Sequence, residues 1–129
     1  MAGLPDWLIA CCRTALLAVL VALSSAALAV DGPTQVEIDH LLDHVRTSDL
    51  VFIRNGKEHD PEEAHRHMER KYRHFEDEVE TAEQFIEHSA TQSLISGKLY
   101  TIRLADGEEV VARDYLLGVL ADFRATQTD

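Results

Sequence analysis

Seven histidines stand in this 129-residue chain: His40, His44, His59, His65, His67, His74 and His88. Imidazole binds transition metals and titrates near about 6.5, so histidine is the residue type best suited to metal or proton chemistry at neutral pH. His40 and His44 lie four apart, and a helix would place them on one face with Glu37 one turn earlier. Two imidazoles and a carboxylate suit zinc. Yet Ile38, Leu41 and Val45 mark the apolar stripe of the same segment, and its phase puts the trio on the opposite, solvated face. A metal-binding imidazole there would lack the outer hydrogen bonds that orient it. The chain has no His-Glu-x-x-His and no other tight cluster to supply a third ligand. No metal or cofactor is therefore expected, and His40 and His44 remain only weak candidates. The histidines also permit a pH response, since protonating all seven would offset seven of the eleven net negative charges.

A second group is Arg54, Asn55 and His59, with Ser96 further along. A guanidinium fork, an amide, an imidazole and a hydroxyl are hydrogen-bond donors of the kind that hold a small anionic group. Architecture offers another reading. Asn55-Gly56 would make a turn, His59 would precede a helix cap at Asp60, and Arg54 would pair with a helix carboxylate such as Glu83. The segment His65–His74 is basic. Arg66, Arg70 and Arg73 project together away from a Met68–Tyr72 stripe, with His67, Lys71 and His74 alongside. It reads either as a docking face for an anionic partner or as a solvated face laced by Glu62–Arg66 and Glu69–Arg73 pairs. Catalytic signals are thin. Ser89, Ser93 and Ser96 lack a Gly-x-Ser-x-Gly elbow, and no glycine loop for phosphate is present.

The elements that must position these residues follow from period and punctuation. After a lead-in at Asp31-Gly32-Pro33-Thr34, a helix fits residues 35–47, with Ile38, Leu41, Leu42 and Val45 on one face. Val51-Phe52-Ile53 is β-prone and ends at Arg54-Asn55-Gly56, a turn signal. Asp60-Pro61-Glu62-Glu63 opens a second helix running to His74 or Phe75, with Asp60 as cap, Pro61 in the first turn and Glu63 closing a capping box. Its buried stripe would be Ala64, Met68, Tyr72 and Phe75. Thr81-Ala82-Glu83-Gln84 is another capping box, for a helix burying Ala82, Phe85, Ile86 and Ala90. A loop with Gly97 spans 93–98. The period then becomes two: Tyr100, Ile102 and Leu104 face one way, Asp106-Gly107 turns, and Glu109-Val110-Val111 returns. A last helix over 113–125 would bury Leu116, Val119, Leu120 and Phe123, leaving 126–129 frayed. The expected fold is α+β: about four helices with a small, largely antiparallel sheet.

Residues 1–29 read as a signal peptide, its helix outside the fold. Arg13 and the amino terminus give a positive start, Ala15 to Leu23 is apolar, and Ala27-Leu28-Ala29 supplies small residues for cleavage before Val30. The uncharged run from Thr14 to Val30 is 17 residues, short of the roughly 20 that span a bilayer. A lipobox at Leu8-Ile9-Ala10-Cys11 is rejected, because its cysteine precedes the apolar stretch. The expectation is a periplasmic protein without a membrane anchor after cleavage, and a single domain over 30–129. Both cysteines, Cys11 and Cys12, fall in the signal, so the mature domain has neither a disulfide nor a cysteine nucleophile. The signal contains one acid, Asp6, and one base, Arg13, so the mature domain keeps the net charge of −11. Such a charge disfavours nucleic acid and anionic membranes; it suits a cationic partner or simply solubility.

Phe52-Ile53-Arg54-Asn55-Gly56 with Glu58-His59, then Lys71-Tyr72, Thr81-Ala82-Glu83-Gln84-Phe85-Ile86, and Ser96-Gly97-Lys98 before Tyr100, resemble the YfeK-like family of small exported bacterial proteins, a domain of unknown function. The resemblance runs from about Ile38 to Phe123. It implies a periplasmic location and supplies no activity. Relatives often carry a cysteine shortly before the Phe-Ile-Arg-Asn-Gly run, where this chain has Asp49-Leu50-Val51, and many have proline at the position of Leu99. Any cysteine chemistry in the family therefore does not transfer. The leading reading is a non-enzymatic interaction module that binds or protects another envelope protein, for example a cationic one. The second is a small anionic-ligand or metal-binding protein using the Arg54–His59 region or the histidines. The third is a hydrolase with an unrecognised site.

Overall fold

Local signals start most elements. The computed structural model describes residues 31–128, so the signal-peptide reading of 1–29 and its cleavage point lie outside the described residues. Helix α1, Gly32–Thr47, begins three residues before the expected start. The Asp31 carboxylate accepts from the Thr34 amide at 2.9 Å, and Pro33 sits in the first turn, where its missing N–H costs nothing. Strands β1, Val51–Arg54, and β2, Lys57–His59, form a tight hairpin. Asn55 at φ 53° and Gly56 at φ 75° make its two-residue turn, the left-handed geometry that Asn-Gly tolerates. The sequence reading had no strand at 57–59; its pairing with β1 is what defines it.

Helix α2, Pro61–Phe75, and helix α3, Ala82–Ala90, each carry both halves of their capping boxes, Asp60 with Glu63 and Thr81 with Gln84. A short 3-10 turn, Glu76–Glu78, links them. Strands β3, Thr101–Arg103, and β4, Glu109–Val111, are joined by the Asp106-Gly107 turn, where the Asp106 carboxylate accepts from the Glu108 amide at 2.9 Å. Helix α4 spans Ala112–Gln127. It does not fray at 126. The Thr126 and Thr128 hydroxyls donate to the carbonyls of Phe123 and Arg124, satisfying acceptors that a helix end leaves bare.

The sheet has the order β2-β1-β3-β4, with every pairing antiparallel. Register assigns its faces. His59, Phe52, Ile102 and Val110 stand in one rung facing the helices. On the other face Arg103 bridges Glu58 at 2.5 Å and Glu109 at 3.1 Å. The described residues thus form an α+β fold, four helices against a four-stranded sheet. Ile38, Leu41, Val45, Phe85, Ile86, Ile102, Leu116 and Leu120 form the closed centre of its core.

Two long-range ties depart from expectation. Arg124 at the end of α4 holds Glu37 of α1 at 2.7 and 2.9 Å and Glu83 of α3 at 2.5 and 3.2 Å. Those bonds lower the Glu83 pKa and raise that of Arg124. Glu83 therefore pairs with Arg124, not Arg54. The second tie corrects the placing of His40 and His44. They do not face open solvent but lie against α4. The His40 ring stacks on Phe123 at 4.1 Å between centroids, and His44 Nε2 meets the Tyr115 hydroxyl at 3.0 Å. Burial lowers the His44 pKa, with His40 adding to the effect. Among the described residues no group of three or more His, Cys, Asp or Glu side chains is arranged to hold a metal.

Candidate functional site

Arg54 is the last residue of β1. The pleat turns it to the helix-facing side, in line with Phe52 and beside Tyr100 on the neighbouring strand path. Among the described residues its guanidinium has no hydrogen bond and no ion pair. It therefore offers a complete set of donors to whatever enters from outside.

Opposite lies Lys71 of α2. The sequence reading placed it on the solvated basic face, but it is only 8% exposed. The cause is helical phase: Ala64, Met68 and Lys71 stand at i, i+4 and i+7, on one stripe. Its ammonium donates to the Gln92 carbonyl at 2.8 Å and lies 5.1 Å from the centre of the Tyr100 ring. Desolvation, with Arg54 close by, lowers its pKa. Tyr72 and Phe75, expected deep in the stripe, are partly buried instead. Of the two ion pairs expected on this helix, Glu69–Arg73 forms at 3.7 Å, and Glu62–Arg66 is not among the ion pairs of the described residues.

His67 sits between them, one turn before Lys71. Its Nε2 meets the Tyr100 hydroxyl at 3.2 Å, with the rings edge to face. Burial first, then the charges of Arg54, Lys71, Arg70 and His59, bring its pKa to about 4. His67 is thus neutral at pH 7. The same desolvation raises the Tyr100 pKa.

The loop between α3 and β3 closes the site. Its hub is Ser93, whose hydroxyl accepts from the amides of Ile95 and Ser96, each at 3.3 Å. The Ser93 carbonyl accepts from Gly97, and the Ser93 amide donates to Lys98, both at 2.9 Å. Gly97 supplies the left-handed φ of 68° that the turn needs. The loop is fastened to the β1–β2 turn through Asn55. That amide donates to Ser93 Oγ at 3.3 Å and accepts from Ser96 Oγ at 2.5 Å.

Together these residues line a cleft of about 360 Å³ walled by Arg54, Asn55, His67, Lys71, Ser93 and Tyr100, with Leu94 and Ile95 at its lip. Two cations line it and no carboxylate does. Behind it lies an inner cavity of about 40 Å³, sharing Arg54, His67 and Tyr100 as a common wall.

The four residues singled out from the sequence divide between these two spaces. Arg54, Asn55 and Ser96 come together at the cleft and its loop. His59 points to the inner cavity, its Nδ1 3.4 Å from Glu63 and its Nε2 buried without a partner. Ser89 Oγ, also buried and unpartnered, lines the same cavity. The sequence reading put His67 and Lys71 on a docking or solvated face and Tyr100 in a strand stripe, and grouped none of them with Arg54. The i, i+4, i+7 phase of Ala64, Met68 and Lys71 is the signal that could have placed Lys71 inward.

A model described as "Family of unknown function (DUF5329)" matches residues 32–124. An uncharacterised protein, YfeK of Salmonella typhimurium, is 37% identical over 93 residues, covering 71% of this chain and 74% of that protein. No solved structure matches significantly.

Proposed function

This chain belongs to the DUF5329 family of unknown function, and from that premise we propose that it is a non-enzymatic binding module of the bacterial cell envelope whose cationic cleft captures an anionic group. One observation carries the reading: Arg54, without a partner among the described residues, and Lys71 converge on a cleft lined by no carboxylate, in a chain of net charge −11. Elsewhere the guanidiniums of Arg103, Arg113 and Arg124 are engaged by acids, and Arg66 and Arg70, which are in no ion pair among the described residues, are exposed to water. Leaving one guanidinium unpaired and half-buried amid so many carboxylates has a cost that an arriving anion would recover. The positive start, apolar run and Ala27-Leu28-Ala29 of residues 1–29 support export. An interaction module and an anion binder, separate readings of the sequence, merge here: the anion is the handle by which a partner is held.

Hydrolysis is a poorer fit. In its serine-nucleophile form it requires a serine hydroxyl within hydrogen-bond reach of a base such as an imidazole. Ser89 Oγ and His59 Nε2 face one cavity, yet neither has a hydrogen-bond partner, so they do not meet.

The test is titration with sodium acetate and sodium phosphate, followed on the backbone amide resonances of residues 93–98 in the wild type and in Arg54→Gln, and on the Arg54 Nε–Hε resonance in the wild type. Saturable binding in the millimolar range, about −4 kcal/mol, is expected in the wild type and is lost in the variant. An Arg54 resonance that does not move with either anion overturns the reading.

A further inference from the structure

The cleft joins two chemistries that inorganic anions do not share. Its floor is cationic, and its lip is aliphatic. Leu94 is 65% exposed and Ile95 is 99% exposed, with Leu99, 53% exposed, at the far end of the same loop. Only one other large hydrophobic among the described residues is comparably exposed, Val36 on α1. Scattered apolar side chains need no explanation, but three within six residues of one loop beside an unpaired guanidinium do. The loop is not a loose tip either. The Ser93 hub, the Gly97 turn and the Asn55 bridge hold it by six hydrogen bonds already described, and Leu99 is pinned opposite Gln92 by an isolated antiparallel bridge. Leu94 and Ile95 are therefore presented outward by a built scaffold with little further backbone ordering cost.

The charge count narrows the guest. Lys71 spends one donor on the Gln92 carbonyl and lies against the Tyr100 face, so it adds a point charge and not a fork, and His67 is neutral and engaged with the Tyr100 hydroxyl. One free planar fork remains, that of Arg54. A fork of parallel N–H donors matches one carboxylate or one phosphate group, and the aliphatic lip beside it suits the carboxylate, whose adjoining carbon carries alkyl groups directly. The guest is then one carboxylate with aliphatic groups next to it. An acyl chain would need a long apolar channel, whereas this site is an open cleft with two aliphatic residues at its lip. The end of a polypeptide fits better: its terminal carboxylate meets Arg54, and its last side chains cover Leu94 and Ile95.

We infer that the cleft recognises the C-terminus of another polypeptide ending in aliphatic residues, with Arg54 gripping the terminal carboxylate and Leu94 and Ile95 receiving the apolar side chains. This rests on the anion-binding reading above and specifies its guest. Capture of free backbone termini by clustered donors is a recurring mode of peptide recognition.

The experiment uses the purified protein and four probes: an N-acetylated pentapeptide ending in Leu-Leu with a free carboxylate, the same peptide amidated, a free-acid peptide ending in Ser-Ser, and laurate. Affinities are read by fluorescence anisotropy or calorimetry, with sodium acetate as reference. The free-acid Leu-Leu peptide is expected to bind at least about tenfold more tightly than acetate. Amidation and Arg54→Gln each weaken it about tenfold or more, as for loss of a charge-assisted pair. The double variant Leu94→Ser/Ile95→Ser lowers the ratio of peptide to acetate affinity by about tenfold, since it removes apolar cover alone. Both side chains are exposed, and circular dichroism checks that the variant is folded. Equal binding of amidated and free peptides, an unchanged ratio in the double variant, or tighter binding of laurate than of any peptide overturns the inference. If acetate still binds in those cases, the anion-binding reading survives; if acetate fails too, both fall together.

Discussion

Mild acid should destabilise this protein, and His67 should be responsible for a measurable share of the loss. Its imidazole has an ordinary pKa of 6.5 and a folded value of about 4, depressed by burial and by the positive charges around it. Those charges are Arg54 from β1, Lys71 and Arg70 from its own helix, and the adjacent imidazole of His59 from β2. Tyr100 contributes only a hydroxyl, and Glu63, one turn earlier, sits against His59. The direction follows from proton counts. Above pH 6.5 neither folded nor unfolded chain protonates His67, and the shift costs nothing. As pH falls from 6.5 towards 4 the unfolded chain takes up the proton and the folded chain does not, so stability drops. With those two pKa values the loss between about pH 7 and 4.5 is close to 2.4 kcal/mol, and about 2 kcal/mol after discounting for partial solvation. The assay is urea denaturation of wild type and His67→Gln at both pH values. Glutamine can still reach the Tyr100 hydroxyl but does not titrate. The variant should lose about 2 kcal/mol less than the wild type on acidification. Parallel pH dependences, or a His67 titration near 6.5 by NMR, refute the reasoning.

Other predictions follow from single contacts. Arg124→Ala should cost about 1–2 kcal/mol, because it frees both Glu37 and Glu83 at a helix junction, and half-molar salt should shrink the difference. The Glu83 pKa is depressed by Arg124, so its stabilisation is full above the ordinary carboxylate value and fades as pH falls through the lower folded one; the variant should lack this acid-limb loss. Lys71→Met should stay within about 1 kcal/mol of wild-type stability at pH 7, since it removes a buried charge with its desolvation penalty, while acetate affinity falls. A large unfolding effect without loss of binding would make Lys71 structural rather than part of the site. Gly56→Ala should destabilise by about 1–2 kcal/mol, because a Cβ is strained at φ 75°, and thermal melts would show it.

Much of the fold was legible because its signals are local. Asp60-Pro61-Glu62-Glu63 and Thr81 to Gln84 carry their own caps, and each box formed where expected. Asn55-Gly56 and Asp106-Gly107 turn the chain by residue type alone. Alternation from Tyr100 to Leu104 set which side of β3 is buried. Strand β2 was missed because Lys57-Glu58-His59 has no apolar alternation; only pairing with β1 makes it a strand.

The sequence by itself determined the acidic charge, the α+β order of elements, the family motifs and the presence of Arg54, Asn55, His59 and Ser96 as a suspect set. Tertiary structure decided what those residues face. Arg54 and Glu83 were plausible partners until Arg124, 41 positions beyond Glu83, took that carboxylate. Lys71 turned inward with its helix stripe, and His59 turned to an inner cavity. His40 and His44 found Phe123 and Tyr115 instead of open solvent. The physical reason is the same in each case. Caps, turns and periods are settled by neighbours within a few residues, whereas the partner of a charge is chosen by competition among groups that only the folded core brings within a few ångströms. In this chain that competition leaves Arg54 without a carboxylate among the described residues, at the mouth of a cleft.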